Sequence, residues 1–386
     1  MDHAEHSPNG GKVAPISESR IVSLDGVRGL AILTVMLGHI GEFGLPIHPA
    51  FNAVFAMSWV GVELFFVLSG FLITSILIEK LNTKNYFSRF YLRRFLRIVP
   101  VYYLVLTVTT YLFPLIFNNL ITPDMSQSWQ QHAPWYYAFL ANIMMMQLGD
   151  MPHDPVAVAW SLAVEEQFYL VWPFVALGFR YFRPLTILGS LLIGGIILRA
   201  ILMMNGWADL MFYLFTPTRM DSLILGAALA VARHYGWMKA SWHFAWVGYA
   251  AAALLVTMRA LSLVTVGFDE ANHVVLAVES LTYYTLIAVV FASLIGHLLT
   301  KSQSRLAGWM SKKWLCQIGL WSYPIYLTHN LINHALANSG FTFGVFGSNL
   351  VGLGFHAGVT FAVAVGVGYL LHRWIERPIL GLKASF

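Results

Sequence analysis

The stretch "RGLAILTVMLGH" places Arg28 and His39 eleven positions apart with only apolar or small residues between them. On an α-helix that step is three turns plus about 20°, so both side chains share one face and stand about 16 Å apart along the axis. Histidine titrates near neutrality, and beside a carboxylate it can take a proton from a hydroxyl as that hydroxyl attacks an acyl carbon. Carboxylates are available at Glu165 and Glu166 in "WSLAVEEQFYLVWP". These neighbours project about 100° apart on a helix, which leaves one to face a site and the other to pair with an arginine or orient a partner. Further polar residues interrupt apolar runs at Arg219 and Asp221 in "TPTRMD" and at Ser322 and His329 in "SYPIYLTHN".

A second constellation is "RFYLRRFLRIVP", with Arg89, Arg93, Arg94 and Arg97 interleaved with Phe90, Tyr91 and Phe95. Guanidinium forks match phosphate oxygens and aromatic faces stack on a nucleobase, so the pattern fits a phosphorylated donor. The plainer alternative is an orientation signal in contact with anionic lipid. The sequence has neither a G-x-S-x-G nucleophile elbow nor a His-x-x-x-x-Asp box. Direct transfer is therefore simpler than a covalent serine intermediate.

Composition decides what must position these groups. Of 386 residues, 58% are hydrophobic and 11% charged, far below the roughly one-quarter charged share of soluble domains. The expected fold is an all-α membrane protein. A polar tail (1–23) precedes one integral membrane domain (24–378), and a short tail (379–386) follows. The first tail lacks the apolar core of a signal peptide, so the first helix is expected to do the targeting.

Segments long enough to span occur at 24–43, 58–79, 98–118, 158–178, 184–204, 212–232, 243–266, 275–299, 314–336 and 350–372. Lys80, Lys84, Arg89, Arg93, Arg94 and Arg97 fall between the second and third, which puts that loop in the cytoplasm. The later basic clusters land on the same side only if "PWYYAFLANIMMMQLG" (134–149) does not cross. The result is about ten transmembrane helices, one re-entrant or interfacial segment, and both termini cytoplasmic. A net charge of +5 then reflects this topology, with membrane lipid as partner and no nucleic acid. The lone Cys316 excludes an internal disulfide and a cysteine-based zinc site, and no metal ligand set is read. Gly354 and Gly358 form a G-x-x-x-G pair, read as close helix packing.

This threading gives depth to each polar residue. Arg28 lies at the inner end of the first span and His39 in its outer part. Glu63, Glu165, Glu166, Arg219 and Asp221 fall in the outer halves of theirs. Arg259, Glu279, Ser322 and His329 are also intramembrane, with Glu63, Arg259 and Glu279 read as structural partners. Buried charge is costly unless groups face one another or water, so a shared polar site open outward is the economical arrangement.

Six segments in order, "LDGVRGLAILTVMLGHI", "GVELFFVLSGFLIT", "RFYLRRFLRIVPVYY", "WSLAVEEQFYLVWP", "TPTRMDSLILGAALA" and "SYPIYLTHN", resemble the acyltransferase-3 family of integral membrane O-acyltransferases. The resemblance runs from about Ser23 to Pro378. It implies a multi-pass protein of the bacterial inner membrane that uses a cytosolic acyl-CoA, typically acetyl-CoA, as co-substrate and needs no bound cofactor. The acyl group goes to a hydroxyl of a glycan, a lipid-linked sugar or another acceptor. By motif, Arg28 and His39 correspond to the paired residues of the first helix and Glu165 and Glu166 to the acidic pair. Arg93 corresponds to the arginine-rich loop, and Arg219 and Asp221 to a recurrent polar pair. Some members add an extracytoplasmic hydrolase-like domain after the helices. This chain stops at Phe386, so acceptor work is expected of the membrane domain or a partner.

The expected mechanism places CoA phosphates on Arg89, Arg93, Arg94 and Arg97, with Arg28 holding a phosphate, a pantetheine carbonyl or a structural carboxylate. His39, oriented by Glu165 or Glu166, is the general base. Arg219, Asp221 and His329 contact substrate, and Arg219 or Arg259 lies at a depth suited to an oxyanion. The alternative is a proton-coupled transporter or exporter of a polar metabolite, in which the buried His and Glu residues relay protons. That reading predicts flux without acyl-CoA and discontinuous helices at matching positions of two halves. A receptor or scaffold would require the whole polar cluster to be structural.

Overall fold

The computed structural model describes residues 21–41, 59–117, 120, 123–238, 241–264, 269–339 and 349–381. Most of the two expected tails (1–20 and 382–386) lies outside the described residues. So do the connections 42–58, 265–268 and 340–348.

Every regular element among the described residues is a helix. The first three are α1 (Val22–Gly41), α2 (Val60–Lys80) and α3 (Tyr86–Thr107), the last running on through a π turn to Ile116. There follow α4 (Pro123–Tyr137), α5 (Ala141–Leu148), α6 (Ala159–Gly178), α7 (Pro184–Met204) and the short α8 (Asp209–Leu214). The chain continues with α9 (Asp221–His234), α10 (Ser241–Val264), α11 (Asp269–Thr300), α12 (Arg305–Met310), α13 (Lys313–Leu320), α14 (Ser322–Asn338) and α15 (Asn349–Leu371). The last of these runs through a π turn at His372–Glu376 into α16 (Arg377–Gly381).

Among the described residues seven helices are long and apolar enough to cross a membrane: those at Val22–Ile40, Val60–Lys80, Tyr86–Ile116, Pro184–Met204, His243–Ser262, Ala277–Thr300 and Val351–Gly381. The other three expected segments are helical too, but polar or broken. Helix α6 carries Glu165, Glu166 and Gln167. The 212–232 segment is cut by a 3₁₀ turn at Thr216–Thr218, and 314–336 is cut at Trp321 between α13 and α14.

The 134–149 stretch is split at Phe139, whose φ of 55° lies in the left-handed region. At 8 residues, α5 is about 12 Å long, less than half of a roughly 30 Å hydrocarbon core. The break is held by polar contacts from neighbours. Gln167 Nε2 donates to the Phe139 carbonyl at 3.1 Å and to Asn142 Oδ1 at 2.9 Å. Asn142 Nδ2 donates to the Leu214 carbonyl at 3.0 Å, and Thr216 Oγ1 donates to Gln167 Oε1 at 2.5 Å. Two interrupted segments thus satisfy each other's backbone through α6.

Helices α2 and α9 pack against each other more extensively than any other pair among the described residues, and glycine makes that approach possible. A Cβ on Gly70 would collide with the Leu223 carbonyl, and one on Gly226 with the Val67 carbonyl. Gly26 and Gly319 play the same part between α1 and the α12–α13 elbow. By contrast, Gly354 and Gly358 meet nothing within 4 Å among the described residues. The G-x-x-x-G spacing there falls on a face of α15 turned away from the bundle. The expectation of close packing at that pair is corrected accordingly. Gly70→Ala gains about 1 kcal/mol of helix propensity, yet it is expected to lower the melting temperature, because a backbone carbonyl cannot retreat without separating α2 from α9. Thermal unfolding in detergent checks the sign.

Candidate active site

A cavity of about 240 Å³ runs between α1, α2, α3, α6 and α14. Its lining on α2 extends from Val62 to Ile76, fourteen positions or about 21 Å of helix. One end is basic, with Arg28, Arg94 and Arg97. The other is closed by Phe65 and Tyr326, whose rings meet edge to face at 6.4 Å.

Between the ends lies a polar band. Ser69 Oγ donates to Glu165 Oε1 at 2.5 Å, and Tyr169 OH donates to Ser69 Oγ at 3.0 Å. The Arg94 guanidinium sits 5.8 Å from the Tyr169 ring centroid and 6.0 Å from that of Phe90, within cation–π range. Arg28 lies in the electrostatic reach of Arg97, Asp25, Glu376 and Glu165. Ser322 faces the cavity at 1% exposure, and its hydroxyl has no hydrogen-bond partner among the described residues. A buried, unsatisfied hydroxyl costs about 1–3 kcal/mol and marks where a polar ligand group would be welcome.

The histidines lie past the Tyr326 end. His39 Nδ1 stands 2.9 Å from the Val35 carbonyl and 3.3 Å from His329 Nε2. His329 Nδ1 stands 2.7 Å from the carbonyl of Tyr326 and 3.2 Å from that of Ile325. A carbonyl only accepts, so the partners assign the proton to Nδ1 of each ring. His329 Nε2 is then an acceptor for His39 Nδ1–H, and Nε2 is the unprotonated nitrogen of neutral His39. Asn333 braces the pair: its Nδ2 donates to the His39 carbonyl at 2.6 Å, and its Oδ1 accepts from His356 Nε2.

Several expected residues are therefore together and others are not. Arg28, Arg94, Arg97 and Glu165 share the cavity, and Glu166 lies in electrostatic reach of Arg94. Arg89 and Arg93 face outward from the same helix, because α3 presents only one side to the bundle. The contacts that orient His39 come from Val35 and His329 rather than from the acidic pair. Glu165 instead shares the cavity with Arg28, about 16 Å down α1 from His39.

Arg219 and Asp221 line no part of this cavity. Arg219 pairs with Glu63, and its guanidinium lies 4.1 Å from the Tyr284 ring centroid and 4.8 Å from that of Tyr213. Asp221 accepts from Arg199 at 2.8 Å and also from Thr285. Arg259, expected at a depth suited to an oxyanion, is bonded to Glu279 at 3.1 Å and is 64% exposed on its side chain.

Sequence reading passed over Arg199, Ser69, Tyr169 and Tyr326. It also missed a buried Asp154 that accepts from His132 at 2.7 Å and Tyr136 at 3.0 Å. Single polar residues on otherwise ordinary helices carry no pattern until their partners are known.

The sequence from 21 to 373 matches the acyltransferase domain of the acyltransferase-3 family, and the chain belongs to that family. Among curated relatives, the peptidoglycan O-acetyltransferase OatA of Listeria monocytogenes is 30% identical over 334 residues, covering 81% of this chain and 49% of its own length. The O-acetyltransferase OatA of Staphylococcus aureus is 30% identical over 219 residues, 54% of this chain and 34% of the relative. The chain thus spans half or less of the length of these relatives. No solved structure matches it.

Proposed function

We propose that this chain is a multi-pass membrane O-acetyltransferase that carries an acyl group from acetyl-CoA across the bilayer to a hydroxyl of a peptidoglycan-like glycan, with His39 as general base. The observation that carries the reading is the cavity itself. It runs from a cluster of three arginines to Tyr326, whose ring centroid lies 5.7 Å from that of His329, and a 21 Å run of helix is about the reach a pantetheine arm needs.

In this reading ten segments span the membrane and both termini are cytoplasmic. The cavity's arginine end faces the cytoplasm, because Lys80, Lys84 and the α3 arginines gather there and basic residues mark that side. In the same reading the membrane is the bacterial inner membrane. Arg94, Arg97 and Arg28 take donor phosphates, with Arg89 and Arg93 supplying field rather than contact. The pantetheine amides run past Ser322 and the Ser69–Glu165 band. His39 Nε2 accepts the proton as the acceptor oxygen attacks the thioester carbonyl. The C–O bond forms, the C–S bond breaks, and the leaving thiolate recovers a proton from the imidazolium. His329 accepts the Nδ1 proton's hydrogen bond and supports the charge that develops on His39. Asp221 and Arg219 stabilise the fold around this path.

Purified full chain in nanodiscs, given acetyl-CoA labelled in the acetyl group and muropeptide or glycan-strand acceptors, should yield labelled, alkali-labile esters. Absence of CoA-dependent ester with every hydroxyl acceptor would overturn the assignment.

A further inference from the structure

A second pocket of about 320 Å³ opens at the end of α15, lined by Leu320, Trp321, Tyr369, His372, Arg373 and Arg377. It abuts the transfer cavity. Trp321 ends α13 and faces this pocket, while the next two residues, Ser322 and Tyr323, face the cavity. From the other side, Glu376 of the π turn is in electrostatic reach of both Arg28 and Tyr323.

The chemistry of this wall is specific. The Trp321 and Tyr369 rings meet edge to face at 5.1 Å, giving an aromatic corner. The Arg373 guanidinium lies 5.9 Å from the Tyr369 ring centroid and donates to its hydroxyl at 2.5 Å. Neither Arg373 nor Arg377 has a carboxylate partner among the described residues, since the nearby Glu376 is bonded to His372 at 2.8 Å. Two uncompensated guanidinium groups beside a stacking surface form a receptor for a planar base carrying phosphate. The local backbone is compatible with that use: His372–Glu376 is a π turn, a distortion frequent at functional sites.

We infer that the Trp321–Tyr369–Arg373–Arg377 pocket seats the adenosine 3′-phosphate end of the acyl-CoA donor, leaving Arg94, Arg97 and Arg28 to the diphosphate at the cavity mouth. The inference rests on the proposed acetyl-CoA-dependent transfer. It divides the donor's charge between α3 and the far end of α15, so the nucleotide lies outside the bundle while the pantetheine enters it.

The test compares acetyl-CoA with S-acetylpantetheine, which lacks the nucleotide, on the full chain in nanodiscs. In the Arg373→Gln/Arg377→Gln variant the preference for acetyl-CoA, as a ratio of kcat/KM values, should fall at least about tenfold, the equivalent of losing one charge-assisted hydrogen bond. On the unaltered protein, adenosine 3′,5′-bisphosphate should compete with acetyl-CoA, which tests the pocket even if the variant folds poorly. An unchanged donor ratio, or failure of the bisphosphate to compete, overturns the inference. So does a loss that is equal for both donors and follows the anionic lipid content of the nanodisc, because that outcome assigns the pocket to a lipid headgroup phosphate. Inactivity of the unaltered protein with acetyl-CoA would instead defeat the transfer reading beneath it.

Discussion

His39→Ala should give a folded, membrane-embedded protein whose kcat/KM for transfer from acetyl-CoA falls by about 10²–10⁴-fold, the usual contribution of a positioned general base. The ring is half-buried and bonded through Nδ1 to Val35 and His329, so its removal costs little packing while removing the nitrogen proposed to take the proton. His329→Ala should also slow the reaction, but by less. That change deletes the acceptor for His39 Nδ1–H, while the base keeps its bond to the Val35 carbonyl. Residues that act as a unit show non-additive losses. The double variant should therefore be no slower than His39→Ala alone. Label transfer to a glycan acceptor measures all three, and multiplicative losses would show that the two histidines work separately. Normal turnover in His39→Ala would end the general-base assignment.

Much of the bundle was readable because a membrane imposes a simple rule: an apolar run of about twenty residues becomes a helix. All ten expected segments are helical, and seven satisfy that rule outright. The remaining three fail it for reasons that bear on the site. Helix α6 is polar because it supplies Glu165 to the cavity and Gln167 to the broken α4–α5 segment. The break before α9 lets Thr216 and Thr218 turn the chain, and the break at Trp321 separates a pocket-facing residue from cavity-facing ones. Site residues were legible where one helix carried the pattern, as with Arg28, His39 and the α3 arginines. Pairing between helices was not, because spacing within a helix says nothing of which neighbour it meets. The acidic pair was matched to His39 by depth alone, whereas the bundle brings Glu165 to Arg28 and gives His39 a histidine 290 positions away in the chain.

The same limit explains Arg219, whose depth made it a candidate for substrate or oxyanion. Its side chain is 0% exposed and that of Glu63 is 1% exposed, with Ser222 Oγ donating to Glu63 at 2.5 Å and three aromatic rings around the guanidinium. Its Nε and Nη1 have no hydrogen-bond partner among the described residues, but both are buried and Arg219 lines no part of the transfer cavity. Glu63→Ala should therefore act on stability, destabilising the protein by about 3–5 kcal/mol, because it strands a buried guanidinium. The Glu63→Leu/Arg219→Leu double variant separates this role from chemistry. Replacing both members of a buried pair by apolar groups is often close to neutral, so the double variant should unfold later than Glu63→Ala and still transfer acetyl groups. Thermal unfolding in detergent and label transfer on the same preparations give the two readouts. A double variant that is stable but inactive would return Arg219 to the reaction, since a purely structural pair has nothing to contribute once the fold is restored.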